Sequence, residues 1–457
     1  MLKATIFREY DIRGVADADL RDEDVFDLGR ATGTYLLRNG GPNVALGRDT
    51  RLSSPRLAAA LARGLRAAGC GVANVGVVPT PVLYYSVFHL KADCAVMITG
   101  SHNPPEYNGF KVVCGGSTIH GSQIQEIRRI IEAGDYAAGA GGERECDVVT
   151  PYIEEVSAQF HFPRRIRVVA DAGNGVAGPA LHRIFKKLNC EATELYFEMD
   201  GSFPNHHPDP TLPENLETLI RTVRETGADV GLAFDGDGDR LGAVDGEGRI
   251  IWGDQLLILY AREILSRKPG ATIIGEVKCS QSLYDDIRRH GGNPIMWRTG
   301  HSLIKAKMKE TGAEIAGEMS GHIFFRDRYY GFDDAIYAAC RLMEIIAHSG
   351  RPLAEQLAGL PQTVNTPEIR VDCPDEVKFD VVRRVTAELR ARHEVIDVDG
   401  ARVLFAGGWG LVRASNTQPV LVMRFEAATP ELLAQYRAEV EAVVAEAKRG
   451  VTQAQRG

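Results

Sequence analysis

Short apolar runs alternate with amphipathic stretches along the first three-quarters of the chain. NVALG (43–47) reads as a buried strand, and after it Leu57, Ala60, Leu61, Gly64, Leu65 and Ala68 fall on one helical face. Ser54 is the expected N-cap of that helix, with Pro55 in its first turn. Gly69 and Gly71 end it, GVANVG follows as a strand, and Pro81 to Leu90 reads as a helix. CAVMI (94–98) is the next buried strand, and it runs directly into TGSHNP (99–104). A serine there sits at the carboxyl end of a strand, where open α/β sheets bind their ligands.

The same alternation recurs twice. RIRVVAD (165–171) predicts a strand, followed by a helix to about Leu188, a strand near 192–197 and a helix from Pro213 to Thr226. ADVGLAF (228–234) is then a strand that empties into DGDGDR (235–240). A third block has a helix around 254–267, the strand ATIIGE, a helix from Ser280, the strand NPIMW and a helix from His301. It ends in AEIAGEMSGH (313–322), another strand running into a polar loop. Three such junctions predict an α/β protein with three similar mixed α/β domains, at 1–146, 147–249 and 250–361. The remainder, 362–457, breaks the pattern. A helix around 375–391, strands near 394–398, 401–406, 409–413 and 419–425, and a helix from Pro430 to Lys448 capped by Thr429 predict a C-terminal α+β domain. The last eight residues are expected to fray.

Composition narrows the partners. A chain of 457 residues is too long for one hydrophobic core. Its net charge of −8 and the lack of any lysine- or arginine-rich run argue against a nucleic-acid surface. An anionic small substrate stays open, because a cleft can gather cations against the global charge. The eight cysteines are scattered without a CxxC pair, which favours free thiols over a zinc site or disulfide framework. Charges at Lys3, Arg8, Glu9 and Asp11 leave no room for a signal-peptide core, and no run approaches the ~18 apolar residues of a membrane span. The expectation is a cytoplasmic protein with no membrane partner.

DGDGDR carries the sharpest chemistry. Three alternating carboxylates repel one another unless a cation sits among them, and hard oxygen donors suit magnesium or manganese. A calcium loop of EF-hand type would need Gly at 240 and Glu at 246, where the chain has Arg240 and Gly246. A solvated acidic turn is the bland alternative. A haloacid-type phosphatase also carries DxD after a strand, with its first aspartate as nucleophile, but leaves TGSHNP unexplained. TGSHNP alone is weaker: adjacent Ser101 and His102 are not expected to face each other, and no GxSxG elbow is present. Its position and the nearby Lys111 raise it, since Lys111 can neutralise a phosphate or, with its pKa lowered by neighbouring cations, exchange protons. Hydroxyl and cation site together point to phosphoryl transfer through a phosphoserine. RASNTQP (413–419) offers Arg413, Ser415, Asn416 and Thr417 as an anion receptor, against the plainer reading of a polar hairpin loop. In GEMSGH, Glu318 and Ser320 suit a pair of sugar hydroxyls. NHHPDP (205–210) reads as a rigid turn rather than a metal site.

As an ordered set, EYDIRG, TGSHNP, NGFK, DGDGDR, GEMSGH and RASNTQP resemble the α-D-phosphohexomutase family, in its phosphomannomutase/phosphoglucomutase branch, over essentially the whole chain. The resemblance implies three related α/β domains and a C-terminal α+β domain around a central cleft. It implies that Ser101 carries the phosphoryl group and that Asp235, Asp237 and Asp239 bind Mg²⁺, with the serine phosphate completing the shell. Residues 413–417 would grip the second phosphate, and Glu318 and Ser320 the sugar. Arg13, His102, Lys111, Arg240, His301 and His322 would line the reacting centre, with Lys278 and Tyr10 as further substrate contacts. The implied activity is that of an isomerase of carbohydrate metabolism. It would interconvert hexose 1-phosphate and 6-phosphate, of glucose and/or mannose, with glucose 1,6-bisphosphate or mannose 1,6-bisphosphate as intermediate and activator. Nothing identified reads position 2 of the sugar, so dual specificity is expected, and Met319 stands where the glucosamine branch usually has Gln. The alternatives are a phosphoglucosamine mutase and a non-catalytic phosphosugar-binding relative. A monomer or weak dimer is expected.

Overall fold

The computed structural model describes residues 2–416 and 418–454. Its first three sheets share one plan. In the first, Asn43–Arg48 lies between Gly71–Val77 and Cys94–Ile98, all parallel, and Tyr107–Cys114 returns antiparallel beside Cys94–Ile98. In the second, Ile166–Asp171 lies between Cys190–Leu195 and Val230–Phe234, and Leu241–Asp245 returns antiparallel. In the third, Thr272–Glu276 lies between Asn293–Trp297 and Ile315–Gly317, and Ile323–Phe325 returns antiparallel. TGSHNP, DGDGDR and GEMSGH therefore each join the last parallel strand of a sheet to its antiparallel return. Cys94–Ile98, Val230–Phe234 and Ile315–Gly317 are buried along their whole lengths, which explains their unbroken apolar runs. The fourth sheet has six strands, all antiparallel, in the order Val364–Asn365, Val420–Ala427, Gly408–Ala414, Ala401–Phe405, Glu394–Ile396, with Ile369–Asp372 also on Val420–Ala427.

The cores show how the sheets are joined. One apolar cluster runs continuously through the first three, from Ala95 and Met97 through Leu232 and Phe234 to Ile315 and Phe325. The fourth sheet has a separate core around Val385, Val403, Phe425 and Val440. It meets the third sheet at a small seam of Val277, Trp409 and Leu411. There Arg402 stacks 3.8 Å above Trp409 and donates to the carbonyls of Val277 (2.6 Å) and Cys279 (2.7 Å). Among the described residues no helix is long and apolar enough to cross a membrane.

Local expectations needed correction in three places. Ser54 is not the N-cap but the first residue of the helix Ser54–Ala68; its hydroxyl donates instead to the buried carboxylate of Asp49 (Oδ1, 2.5 Å), a charge-assisted bond. The stretch from Pro213 to Thr226 splits into a 3₁₀ turn, Pro213–Leu216, and a helix, Glu217–Thr226. The terminal helix runs Pro430–Ala454 instead of stopping at Lys448, because Val440, Val443, Val444, Ala447 and Val451 keep one stripe buried; residues 455–457 lie outside the described ones.

Candidate active site

Ser101 sits at φ +49°, a left-handed conformation that costs a residue with a side chain about 1–3 kcal/mol unless its surroundings impose it. Arg51 imposes it. Fully buried, its guanidinium donates to the carbonyls of Ser101 (2.8 Å), Asn103 (2.5 Å), Pro104 (2.5 Å) and Tyr107 (3.0 Å). Asp49 holds both Arg51 Nε (3.2 Å) and the Gly100 amide (3.1 Å). Gly100 must lack a side chain, since a Cβ there would lie 2.4 Å from the Arg51 guanidinium. The same twist brings His102 Nδ1 to 3.1 Å from Ser101 Oγ, so the adjacent pair does meet, contrary to the expectation from sequence.

The TGSHNP loop and DGDGDR close on each other. Ser101 Oγ donates to Asp235 Oδ2 at 2.8 Å, and Gly236 packs so tightly that a Cβ would lie 2.5 Å from the Ser101 carbonyl. Asp235 Oδ1 accepts the amides of Asp239 (3.0 Å) and Arg240 (3.1 Å), and Arg240 Nε stands 4.0 Å from Oδ2. Lys111 Nζ bridges Asp237 Oδ2 (2.8 Å) and Asp239 Oδ2 (2.5 Å), and Thr80 donates to Asp237 Oδ2 at 2.6 Å. Burial and the two neighbouring carboxylates hold the Asp235 carboxyl well above its ordinary pKa. Burial alone would lower the Lys111 ammonium, but Asp237 and Asp239 outweigh it and hold it well above its usual value. Of the two sequence readings of Lys111, the one with a pKa lowered by neighbouring cations is corrected: its decisive neighbours are anions.

This set fits a hard divalent cation. One oxygen from each of Asp235, Asp237 and Asp239 lies within 4.8 Å of the others, all buried. Asp237 Oδ1 is buried with no hydrogen-bond partner, an acceptor of the kind a metal would satisfy.

The third loop closes the other side. Glu318 Oε1 accepts the Gly300 amide (2.6 Å) and Oε2 faces His322 Nδ1 (2.9 Å), while Ser320 Oγ lies 3.2 Å from the same nitrogen. His322 Nε2 reaches back to Asp239 Oδ1 at 3.1 Å. Burial works against its imidazolium, but Asp239 and Glu318 prevail and the pKa is pushed up to about 9. His301 lies beside it (ring centroids 5.8 Å apart) and is held well below its ordinary value by burial, Lys305 and Lys111. His102 is likewise lowered by burial, Arg240 and Arg13.

The C-terminal sheet brings the last group. Arg413 Nε pairs with Asp399 Oδ2 (2.9 Å), which leaves its two terminal nitrogens as the fork. Asn416 donates to the Tyr10 hydroxyl, which itself donates to the Thr299 carbonyl (2.7 Å), and Ser415 Oγ accepts the Gln418 amide (3.2 Å). Thr417 lies outside the described residues. Lys278 sits at the same seam, 3.3 Å from Glu368 and 3.6 Å from Glu276. Arg13 donates to Asn103 of the serine loop and pairs with Asp11 at 2.5 Å. His206 of NHHPDP is taken by Asp171 (3.1 Å), and no metal-holding group forms there among the described residues. Sequence reasoning missed Arg51, Asp49, Thr80, Lys305 and Asp333. None stands in a phosphate-binding or metal-binding pattern, and each acts through contacts that only the fold creates.

Residues 4–138, 150–248 and 252–364 match alpha/beta/alpha domains I, II and III of phosphoglucomutase/phosphomannomutase, and 368–443 match its C-terminal domain. A phosphomannomutase/phosphoglucomutase of Pseudomonas aeruginosa is 49% identical over 433 residues, 94% of either chain. A phosphoglucomutase of Neisseria gonorrhoeae is 46% identical over 444 residues, 96% of either chain. The crystal structure of a phosphoglucomutase/phosphomannomutase family protein from Burkholderia thailandensis superposes with a TM-score of 0.93 at 46% identity, covering 98% of this chain and 99% of that one. With four domain matches in order and near-half identity from end to end, the chain belongs to the phosphoglucomutase/phosphomannomutase family.

Proposed function

We propose that the protein interconverts hexose 1-phosphate and hexose 6-phosphate, of glucose and mannose, through a phosphoserine at Ser101. The carrying observation is the 2.8 Å contact of Ser101 Oγ with a fully buried three-aspartate loop. A free hydroxyl of the bound monophosphate attacks the phosphorus of phosphoserine 101, the serine Oγ–P bond breaks, and the hydroxyl proton leaves to a base. His102 and His301, both held neutral by burial and nearby cations, line the centre. The resulting 1,6-bisphosphate turns end for end and returns its other phosphoryl group to Ser101. Arg13, Lys111 and Arg240 supply positive charge where it builds up on the transferring group. Asp235, Asp237 and Asp239, with the serine phosphate, hold Mg²⁺, whose chemistry when bound is to withdraw charge from the phosphoryl oxygens.

Glu318 and Ser320 receive sugar hydroxyls; a carboxylate has about four lone-pair sites, so the contacts to Gly300 and His322 leave Glu318 capacity. Arg413, Ser415, Asn416 and Thr417 hold the phosphate that is not reacting, with Lys278 and Tyr10 beside them. Breaks near 146/147, 249/250 and 361/362 divide the chain into the four parts this scheme uses. One chain supplies every group, so a monomer suffices, and the eight free cysteines suit a cytoplasmic setting. A phosphatase using Asp235 as nucleophile is disfavoured because it leaves the Ser101 hydroxyl, 2.8 Å from Asp235 Oδ2, without a role. A coupled assay on the 1-phosphates of glucose, mannose and glucosamine, with Mg²⁺ and bisphosphate, tests the reading. Turnover of the first two without net phosphate release is expected; failure on both, or stoichiometric phosphate release, overturns it.

A further inference from the structure

Glu368 belongs to none of the motifs above. It stands one residue before the strand Ile369–Asp372, and its two oxygens have separate cationic partners. Oε1 faces the Arg370 guanidinium (Nη2 at 3.0 Å, Nε at 3.2 Å), and Oε2 accepts from Lys278 Nζ at 3.3 Å. Arg370 in turn donates to Gln418 Oε1 (2.6 Å), near the end of RASNTQP, and the Gln418 amide donates to Ser415 Oγ. Glu368 therefore links a lysine of the third domain to the loop proposed to hold the second phosphate.

The two cations of that grip are neutralised in different ways. Asp399 takes Arg413 at Nε and leaves its terminal nitrogens to a ligand. Glu368 takes Lys278 at its one charged atom, and Glu276 Oε1 stands 3.6 Å from the same nitrogen. The Lys278 backbone is fixed, since its amide donates to Glu276 Oε2 (3.1 Å) and its carbonyl accepts from Arg424. Only 12% of its side chain is exposed, and an ammonium so buried is unfavourable without an anion beside it. A phosphate beside Glu368 is unfavourable in turn, because like charges repel strongly at a poorly solvated seam. Lys278 has N–H donors to spare, so the conflict is one of charge and not of donor count. Glu276 cannot resolve it: that carboxylate is fully buried and also accepts from Thr299 Oγ1 (2.6 Å) and the Met319 amide (3.2 Å). Glu368 can, with 30% of its side chain exposed and Arg370 already on its other oxygen. We propose that Glu368 is a built-in competitor of the substrate: it holds Lys278 in the empty site and yields the ammonium to an incoming sugar phosphate, staying paired with Arg370.

This rests on Lys278 being a phosphate contact, as proposed above, and it requires that removing an ion pair tighten binding. Affinity for glucose 1-phosphate is measured by titration calorimetry on the full-length protein in its unphosphorylated form, and KM in the coupled assay. Wild type, Glu368→Gln, Lys278→Met and the double variant are compared. Glu368→Gln is expected to lower Kd and KM roughly tenfold, the factor set by a contact that occupies the ammonium about nine-tenths of the time. Lys278→Met should raise both. In the Lys278→Met background, Glu368→Gln should change neither. Unchanged or weaker binding by Glu368→Gln alone means that the glutamate merely holds Lys278 in place, and overturns the proposal. Equal tightening in both backgrounds is a general charge effect and overturns it too. Lys278→Met binding as tightly as wild type removes Lys278 from the phosphate site, so failure of that reading is recognised separately. Glu368→Ser carries the same expectation should the glutamine variant fold poorly.

Discussion

The two ends of the cleft are built differently. At the reacting end Ser101, Lys111, Asp235, Asp237 and Asp239 are all buried and tied to one another across two sheets that share a continuous apolar core. At the other end Arg413 and Asn416 stand on a sheet with its own core, joined to the third sheet by a small apolar seam, Arg402 and polar contacts such as Lys278–Glu368 and Ser280–Glu426. The first end must place a phosphorus within bonding reach of an oxygen, and an error of an ångström there is expensive. Under the proposed function the second would accept a phosphate from either orientation of one sugar, a task that a separately cored domain suits. Rigid chemistry and adjustable recognition are thus assigned to different sheets.

The contrast breaks most sharply under substitutions at the reacting end. Ser101→Ala should lower mutase turnover by roughly 10⁴-fold or more, read in the coupled assay, since it removes the hydroxyl set against Asp235. Lys111→Met leaves three buried carboxylates without their ammonium. Urea unfolding in a chelator should show a loss of about 3–5 kcal/mol, much of it restored by Mg²⁺.

Behind the same end, Asp334 accepts hydrogen bonds from Tyr152, Tyr329 and the Tyr337 amide. Burial nevertheless pushes its carboxyl up to about 6. A carboxyl raised in the folded state contributes stability that is fully present below its unfolded pKa and lost as pH rises through the folded value. Wild type should therefore lose about 2 kcal/mol relative to Asp334→Asn between about pH 4 and pH 7. Parallel unfolding curves at the two pH values would remove that assignment.

Effects at the recognition end should be smaller and fall on KM. Arg413→Lys, which gives up the fork but keeps the charge, should raise KM about tenfold with kcat within about threefold. Tyr10→Phe removes the hydroxyl joining Asn416 to Thr299, and should cost no more than about threefold in KM. If either changed kcat more than KM, recognition and chemistry would not be separated as described.

How much of this was legible beforehand follows the same division by range. The strands ending in TGSHNP and DGDGDR were readable because unbroken apolar runs and contiguous polar motifs are local signals. The pairing of those loops was not, since Ser101 and Asp235 are 134 residues apart and meet only through packing. The sequence also left open whether cations lower the pKa of Lys111, for the same reason: its carboxylate neighbours are 126 and 128 residues away. Ser54 looked like a cap because capping is a local rule, and a buried aspartate five residues earlier overrode it. Arg51 offered no motif, because its role is to collect four carbonyls that a loop leaves exposed. The extra turns of the last helix depend on Val451 finding the C-terminal core, which the pattern near a chain end could not reveal.

The central claim is that Ser101 and the aspartate loop form one phosphoryl-transfer centre. Peptide mass spectrometry after incubation with glucose 1,6-bisphosphate and Mg²⁺ tests it directly. One phosphoryl group per chain is expected on Ser101, and none on Ser101→Ala or on protein lacking Asp235, Asp237 and Asp239. A phosphoryl group on Asp235, or undiminished labelling of Ser101→Ala, would contradict it.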